Sequence, residues 1–281
     1  MNELQALLLG VVQGLTEFLP ISSSGHLILV PWVLDFHYLE QHPEFNKAFD
    51  VALHAGTLIA VLVYFRSELL AYARGFVRTL GTRRVETEDE RMAWLIALAT
   101  IPAAAIGAVG ESTIEDKLGQ PWQIAILLIV FGVLLALADR LPERKEMAGL
   151  SWRGALAIGF AQAVALAPGT SRSGITITAA RALGLTRRAA ARFSFLLLAP
   201  ITFGAVLYEG IDLAVTGVPP DTYGPFVVGI SAAAASGFAA IWGMLRYLQT
   251  HNYDVFALYR IVAAIVVLLL IASGVQSATF D

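Results

Sequence analysis

Cysteine is absent from this chain of 281 residues, and charged residues are scarce. The lack of a thiol excludes disulfide bonds and thiolate metal sites. Charged residues make up 15% and hydrophobic residues 57% of the sequence, whereas soluble domains have about 25% and about 45–50%. Both departures indicate a polytopic membrane protein.

Basic tracts with interleaved aromatic residues are also lacking, and the net charge is only −3, so we exclude nucleic acid as a partner. The first residues, MNELQALLLGVVQG, hold no Lys or Arg ahead of the apolar run. Because a signal peptide needs a positively charged start, we expect this segment to stay in the mature protein.

Long apolar runs are abundant. Each is long enough to cross a hydrocarbon core of about 30 Å as a helix. The predicted spans are 47–65, 93–110, 122–139, 190–208, 224–246 and 255–273.

Two further apolar regions, 3–35 and 152–183, are broken midway by Pro, Ser and Gly. Each half is too short to cross the membrane, so we interpret each region as a re-entrant hairpin of two half-helices. Irregular backbone at membrane depth is tolerated only where it is buried in protein or lines a wet cavity. The tips, 20–26 and 168–174, are therefore expected to face a cavity.

The two broken regions resemble each other. Residues 10–25, GVVQGLTEFLPISSSG, align with residues 159–174, GFAQAVALAPGTSRSG, and residues 49–65 align with residues 193–209. Because each half holds three spans, the second half starts on the opposite side of the membrane. The predicted fold class is an all-α polytopic membrane protein with two inverted-topology repeats, each a re-entrant helical hairpin plus three transmembrane helices.

We place repeat 1 at about 1–140 and repeat 2 at about 150–275, within a single integral-membrane domain over 1–281. No linker resembles a domain boundary, and we interpret the most polar stretch, 83–91, as a solvated cytoplasmic loop. Chance similarity between helices rich in Ala, Gly and Leu is the alternative explanation of the repeat.

Basic residues fall mainly on one side of this topology. The positive-inside rule makes that side cytoplasmic, so the first hairpin enters from the outer face of the plasma membrane. Lys47 and Lys117 lie on the outer side, and Arg172 lies at a hairpin tip. The residues assigned to the cytoplasmic side are Arg66, Arg74, Arg78, Arg83, Arg84, Arg91, Arg140, Arg144, Lys145, Arg153, Arg181, Arg187, Arg188, Arg192, Arg246 and Arg260.

Glu17, His26 and Arg172 are the ionisable residues of the two polar stretches, 13–26 and 168–178, that interrupt the broken regions. An ionisable group at membrane depth is costly and marks a functional site by default. Gln13 shares a helix face with Glu17, because the two are four residues apart. Carboxylate, imidazole, guanidinium and hydroxyl groups together form the set that phosphate chemistry uses.

Each broken region places a turn of small and hydroxyl-bearing residues ahead of a half-helix. Free N–H groups at a helix N-terminus, together with a guanidinium, form an anion site. The candidate phosphate-binding residues are Ser22, Ser24, Gly25, Gly169, Ser171, Arg172, Ser173 and Thr176.

Phosphoryl transfer requires mainly positioning and charge stabilisation, which Arg172 is suited to supply. The attacking group is either the Ser23 hydroxyl, our first choice, or a water, with His26 or Glu17 as the proton acceptor. Glu17 and Gln13 are also candidate ligands for a divalent cation, Mg²⁺ or Ca²⁺, that keeps waters and uses substrate phosphates as further ligands.

Structural explanations stand beside these chemical ones. Glu17 and Arg172 could pair only to tie the two hairpins together, His26 could cap or pack, and the serines could serve as turn and cap residues alone. We assign no chemistry to His54 or Asp50, which lie near the start of a span.

The polar segments resemble those of the undecaprenyl-diphosphatase family, also called the bacitracin-resistance family. Its first motif, Glu/Gln-x-x-x-Glu followed by a Ser-rich turn ending in Gly-His, appears here as Gln13, Glu17 and residues 22–26. Its second motif, Pro-Gly-x-Ser-Arg-Ser-x-x-Thr, appears as residues 168–176. The resemblance covers nearly the whole chain.

This resemblance implies hydrolysis of a polyprenyl diphosphate to the monophosphate and inorganic phosphate, which recycles the lipid carrier of cell-wall glycan synthesis. It also implies a divalent cation, an active site open to the outer face, and essential roles for Glu17, Ser23, Ser171 and Arg172. Gln13 departs from the Glu of many members, so any role of that first carboxylate passes here to Glu17.

A polyprenyl-phosphate flippase or transporter is the alternative function, because inverted repeats with broken helices are also the layout of secondary transporters. The predicted partners are a polyprenyl diphosphate substrate and membrane lipids. The sequence leaves open whether the protein forms a homodimer.

Overall fold

A computed structural model describes residues 1–216 and 223–280, and no β-strand occurs within these residues. The α-helices are α1 (Glu3–Phe18), α2 (Ser23–Val33), α3 (His37–Gln41), α4 (Pro43–Tyr64), α5 (Arg66–Thr82), α6 (Glu88–Leu118), α7 (Pro121–Asp139), α8 (Trp152–Ala163), α9 (Arg172–Ala182), α10 (Arg187–Thr216), α11 (Tyr223–Tyr247) and α12 (Asp254–Ala272). Short 3₁₀ turns lie at Met147–Gly149 and Val164–Leu166.

Six of these helices, α4, α6, α7, α10, α11 and α12, are long and apolar enough to cross a membrane. Their apolar spanning parts coincide with the six predicted spans to within a few residues, while α6 and α10 continue further at their C-terminal ends. The chain is therefore an all-helical polytopic membrane protein, as the composition predicts.

The two broken regions also have the predicted form, in that each consists of two short helices separated by an irregular turn. In the first region, α1 ends at Phe18 and α2 begins at Ser23. In the second, α8 ends at Ala163 and α9 begins at Arg172, with a 3₁₀ turn between them.

Helices from distant parts of the chain pack against each other around the turns. Helix α1 packs along α11, which also contacts α4, while α8 packs along α6. Helix α4 contacts α10, and α7 contacts α12. A buried apolar cluster that includes Phe18, Phe193 and Phe195 lies beside the first turn, and the rings of Phe18 and Phe195 meet edge to face at 5.4 Å.

The prediction of a solvated loop over 83–91 is wrong at its C-terminal end, because α6 already begins at Glu88. Thr87 and Glu90 form a capping box: the Thr87 side chain accepts from the Glu90 N–H, and the Glu90 carboxylate accepts from the Thr87 N–H at 3.1 Å. Glu90 is only 2% exposed. The carboxylate therefore satisfies helix donors and is not a solvated loop charge.

Two of the arginines assigned to the cytoplasmic side, Arg181 and Arg260, are not solvated, since both are 0% exposed. Arg181 donates to the carbonyl oxygens of Leu185, Asp139 and Leu141. Counting basic residues along the sequence cannot separate a loop charge from one whose hydrogen bonds are made to buried carbonyls.

Candidate active site

Ser22 sets the first turn. It is the N-cap of α2, and its hydroxyl accepts from the Gly25 N–H at 3.3 Å. Its φ of 80° lies in a region that residues with a Cβ seldom adopt. A serine held there indicates that the surrounding contacts fix the turn.

Ser171 sets the second turn in the same way. It is the N-cap of α9, its φ is 75°, and its hydroxyl accepts from the Gly174 N–H at 3.0 Å. Ser22 and Ser171 occupy equivalent positions in the aligned segments of the sequence. The structural explanation, a helix cap, therefore holds for both of these serines.

The two turns touch. The Gly169 N–H donates to the Ser22 hydroxyl at 3.2 Å, and the Ser173 hydroxyl donates to the Leu19 carbonyl at 3.1 Å. Gly169 has a φ of +95°, and a Cβ there would lie 2.8 Å from the Ile124 carbonyl oxygen, so this close approach requires glycine.

Glu17 is the centre of the polar cluster that results. Its Oε1 accepts from Arg172 Nη2 at 2.9 Å, an ion pair between side chains that are 6% and 15% exposed. Its Oε2 accepts from the Ser23 hydroxyl at 2.5 Å and from Gln13 Nε2 at 3.2 Å. Residues 155 positions apart thus meet at one carboxylate.

Arg172 is held at its other nitrogen by the Ser194 carbonyl, which accepts from Nη1 at 2.8 Å. The Thr176 hydroxyl lies 2.7 Å from the Ser194 hydroxyl and is fully buried. The second turn and α10 together therefore fix the guanidinium orientation. Ser194 is a positioning contact that the sequence analysis did not single out.

His26 is not brought to this carboxylate. Its Nδ1 lies 2.6 Å from the Ser22 carbonyl, and its Nε2 lies 2.8 Å from the Tyr259 hydroxyl. Both ring nitrogens are thus engaged with groups other than Ser23. The geometry favours Glu17 as the nearer proton acceptor for the Ser23 hydroxyl.

His54, to which the sequence analysis gave no chemistry, is the imidazole that does approach the cluster. Its Nε2 lies 3.9 Å from Glu17 Oε2, while its Nδ1 lies 2.8 Å from the Asp50 carbonyl. Its side chain is 34% exposed and extends the cluster toward solvent. Its only sequence signal is its place in the segment 49–65, which aligns with 193–209.

One buried atom of the cluster, Gln13 Oε1, has no hydrogen-bond partner. An amide oxygen beside a carboxylate is the kind of ligand atom that hard divalent cations bind. No group of three or more His, Cys, Asp or Glu side chains suited to a metal ion occurs among the described residues. The residues therefore fit a cation only where substrate oxygens and waters complete the coordination.

The other predicted phosphate-binding residues line the two turns. The Ser24 hydroxyl lies 3.5 Å from that of Ser22, and the Ser173 hydroxyl lies 3.3 Å from that of Ser171. Gly25 and Gly174 bring the first turns of α2 and α9 close to neighbouring atoms without a Cβ. The predicted residues thus form one contiguous cluster, apart from the buried imidazole of His26, which is directed to Ser22 and Tyr259.

The chain is similar to a known protein family over most of its length. The family model of the bacitracin resistance protein BacA matches residues 6–266. The chain belongs to this family.

Curated relatives align over nearly the whole chain. An undecaprenyl-diphosphatase of Geobacter sulfurreducens is 46% identical over 265 residues, which cover 94% of this chain and 96% of the relative. An undecaprenyl-diphosphatase of Geotalea daltonii is 44% identical, with 98% of this chain and all of the relative covered. One of Thermomicrobium roseum is also 44% identical, over 97% of this chain and 99% of the relative.

Proposed function

We propose that the protein is a membrane-embedded phosphatase that hydrolyses undecaprenyl diphosphate, or a similar polyprenyl diphosphate, to the monophosphate and inorganic phosphate. The observation that carries this proposal is the hydrogen-bonded chain from Ser23 through Glu17 to Arg172, with distances of 2.5 and 2.9 Å. It joins a hydroxyl, a base and a cation across two turns. The function named for the curated relatives supports the same reaction.

The Ser23 hydroxyl is the proposed attacking group, because its proton is already directed at Glu17 Oε2. As the Ser23 oxygen bonds to the terminal phosphorus, the bond from that phosphorus to the bridging oxygen breaks and polyprenyl monophosphate leaves. Glu17 takes the serine proton. Glu17 then loses this proton to bulk water. A water attacks the phosphorus of the phosphoserine, Glu17 takes its proton and returns it to the Ser23 oxygen, and the bond from that oxygen to phosphorus breaks to release inorganic phosphate.

The terminal phosphate is proposed to lie between the turns. Arg172 and the free N–H groups of the first turns of α2 and α9 balance its charge, because helix N-termini leave their first amides without intrahelical partners. Ser22, Ser24, Gly25, Gly169, Ser171, Ser173 and Thr176 complete this cradle. His26 is proposed to hold the first turn through the Ser22 carbonyl while its ring stacks on Tyr259.

A divalent cation, Mg²⁺ or Ca²⁺, is proposed to be held by Glu17 and by the unpartnered Gln13 Oε1. When bound, the cation would neutralise diphosphate charge. Since the protein supplies only two ligands, we expect substrate oxygens and waters to supply the rest.

We further propose that the two halves are inverted repeats within one membrane domain, in the plasma membrane, with the site open to the outer face and the polyprenyl tail among the helices. The equivalent caps Ser22 and Ser171 support this arrangement, as does the packing of α1 on α11 and of α8 on α6. In a cell, the reaction would recycle the lipid carrier of peptidoglycan synthesis.

Phosphate release by purified protein in detergent micelles tests the proposal. We expect Ser23→Ala, Glu17→Gln and Arg172→Lys each to lower turnover by about 100-fold or more, since each removes a group used in the transition state. A chelator should abolish release, and added Mg²⁺ or Ca²⁺ should restore it.

Thr178→Ala is the matched control, because this hydroxyl on α9 donates only to the Gly174 carbonyl of its own helix, at 2.7 Å. It should keep the wild-type rate. Near-normal turnover by the three site variants would contradict the mechanism. Wild-type protein that binds the lipid but releases no phosphate would favour the flippase alternative.

A further inference from the structure

Arg260 is a fully buried cation in the second turn of α12 that contacts both turns of the candidate site. Its Nη1 donates to the Pro20 carbonyl of the first turn at 3.1 Å. Its Nη2 donates to the Gly169 and Thr170 carbonyls of the second turn, at 2.8 and 2.9 Å. Its Nε donates to the Leu128 carbonyl of α7 at 3.1 Å.

This guanidinium has no carboxylate within ion-pair distance among the described residues, so carbonyl dipoles alone compensate its charge. A buried charge without a counter-ion is costly unless its hydrogen bonds are made. Two glycines leave room for the Arg260 side chain. A Cβ at Gly174 would lie 2.8 Å from Arg260 Nη1, and a Cβ at Gly132 would lie 3.2 Å from Arg260 Cβ.

The bonds to Arg260 also orient the peptide groups of the turn. No cis peptide bond occurs among the described residues, and in a trans peptide the C=O and N–H groups point in opposite directions. Fixing the Thr170 carbonyl on Arg260 therefore directs the Ser171 N–H away from the guanidinium. The same contact holds the chain next to the strained φ of Ser171, which persists only if neighbouring contacts fix it.

We propose that Arg260 is a positioning residue, whose guanidinium binds the carbonyls of Pro20, Gly169 and Thr170 and thereby holds the two turns at the spacing at which Ser23, Glu17 and Arg172 meet. This inference rests on the proposed phosphatase function for its effect on turnover. Its effect on the spacing of the turns is independent of that function.

Arginine is suited to this role and lysine is not. The planar fork of a guanidinium donates in several fixed directions at once, whereas an ammonium is a compact charge that cannot span separated acceptors. Arg260→Lys keeps the charge and loses the fork. It therefore separates the positioning of the turns from the simple presence of a cation.

The test compares Arg260→Lys and Arg260→Met with a matched control, Arg181→Lys. Arg181 is likewise 0% exposed and donates to carbonyls, but those belong to Asp139, Leu141 and Leu185, away from the two turns. Unlike Arg260, it also forms ion pairs, with the carboxylates of Asp139 at 3.4 Å and Glu143 at 3.7 Å. We expect Arg260→Lys to lower kcat at least tenfold with little change in KM, and Arg260→Met to lower it further. Arg181→Lys should lose thermal stability to a similar degree while keeping kcat.

A second readout measures the turns directly and does not need catalysis. Because the chain lacks cysteine, the pair Leu19→Cys and Ser173→Cys reports on the contact between the turns, where the Ser173 hydroxyl meets the Leu19 carbonyl at 3.1 Å. With a short thiol crosslinker, we expect crosslinking to slow in the Arg260→Lys background and to keep its rate in the Arg181→Lys background.

The inference is overturned if folded Arg260→Lys keeps both kcat and the crosslinking rate, or if Arg181→Lys lowers both as much. Should Arg260→Met fail to fold, the two lysine variants decide. If wild-type protein releases no phosphate but crosslinking still depends on Arg260, the proposed function fails while the positioning role stands.

Discussion

At the scale of single residues, the protein keeps buried charges in two different ways. Glu17 and Arg172 form a close ion pair with hydrogen bonds on both sides. Arg260 has only carbonyl partners. The paired charges can exchange partners when an anionic substrate arrives, whereas Arg260 has no competing ligand. This difference supports a chemical role for Glu17 and Arg172 and a positioning role for Arg260.

The ion pair leads to a prediction that separates stability from chemistry. Arg172→Ala leaves the Glu17 carboxylate buried without its cation, which should lower the free energy of unfolding by about 3–5 kcal/mol. Adding Glu17→Gln removes this unpaired buried charge, so the double variant should recover about half or more of the lost free energy of unfolding. Denaturation in detergent measures both effects.

Neither variant should regain phosphate release, because the base and the cation are both needed. A double variant no more stable than Arg172→Ala would show that the pair is not the source of the lost stability. A double variant with near-normal turnover would remove both residues from the mechanism.

The sequence identified some of these residues and missed others for one physical reason. Glu17 and Arg172 stand out because each interrupts an apolar segment. Arg260 also lies within an apolar span, but its nearness to the helix start led to its assignment as a cytoplasmic charge. His54 gave only the weak signal of its place in the aligned segment 49–65, because its approach to Glu17 depends on how α4 packs, which no local pattern encodes.

At the scale of elements, apolar run length and the Pro-Ser-Gly breaks predict most helices. Both are local properties, so the six spans and the breaks between the half-helices follow from the sequence. Helix α5 was not predicted, because its basic residues Arg66, Arg74 and Arg78 make it too polar for a span; it packs against α6. The contact between the two turns also depends on tertiary packing, so no local pattern in the sequence predicts it.

The packing of α1 on α11 depends on glycine. A Cβ at Gly14 would lie 2.0 Å from Ser236 Oγ and 2.5 Å from the Ala233 carbonyl oxygen. Membrane helices pack closely through small residues of this kind. Since α1 also carries Gln13 and Glu17, this contact positions the carboxylate as well as the helix.

Gly14→Ala should therefore lower the free energy of unfolding by about 1–3 kcal/mol and reduce turnover as α1 shifts. Gly243→Ala on α11 is the control, because a Cβ there meets nothing within 4 Å. It should be neutral or stabilising by up to about 1 kcal/mol. Thermal unfolding in detergent compares the two, and equal stability would argue against a tight α1–α11 contact.

At the scale of the whole molecule, buried polar contacts join the helices at two depths of the membrane domain. Around Glu17 and Arg260, the two turns are joined to each other and to α7, α10 and α12. At the far end of α7, Asp139 is 3% exposed and accepts from Arg187 Nε at 2.7 Å and from the Tyr253 N–H at 3.0 Å. Burial, and then the Asp139 carboxylate, hold the pKa of the Tyr253 hydroxyl well above its usual value.

The contacts of Asp139 lie at the end of the molecule where most exposed arginines are found. The positive-inside rule assigns this end to the cytoplasm. The turns would then be reached from the opposite, outer side. This orientation makes a prediction for single cysteines in the cysteine-free chain. Exposed Leu34 and Ser273 lie at the proposed outer end, and exposed Thr82 and Gln249 lie at the proposed cytoplasmic end.

In intact bacterial cells, a membrane-impermeant maleimide should label Leu34→Cys and Ser273→Cys at once, and should label Thr82→Cys and Gln249→Cys only after the membrane is permeabilised. All four variants should keep phosphate release, which confirms the native fold. The reverse labelling pattern would indicate that the site opens to the cytoplasm and would exclude a role on the outer face. Labelling of one residue from each end would mean that the number of spans between them is wrong, because six crossings fix which loops share a side.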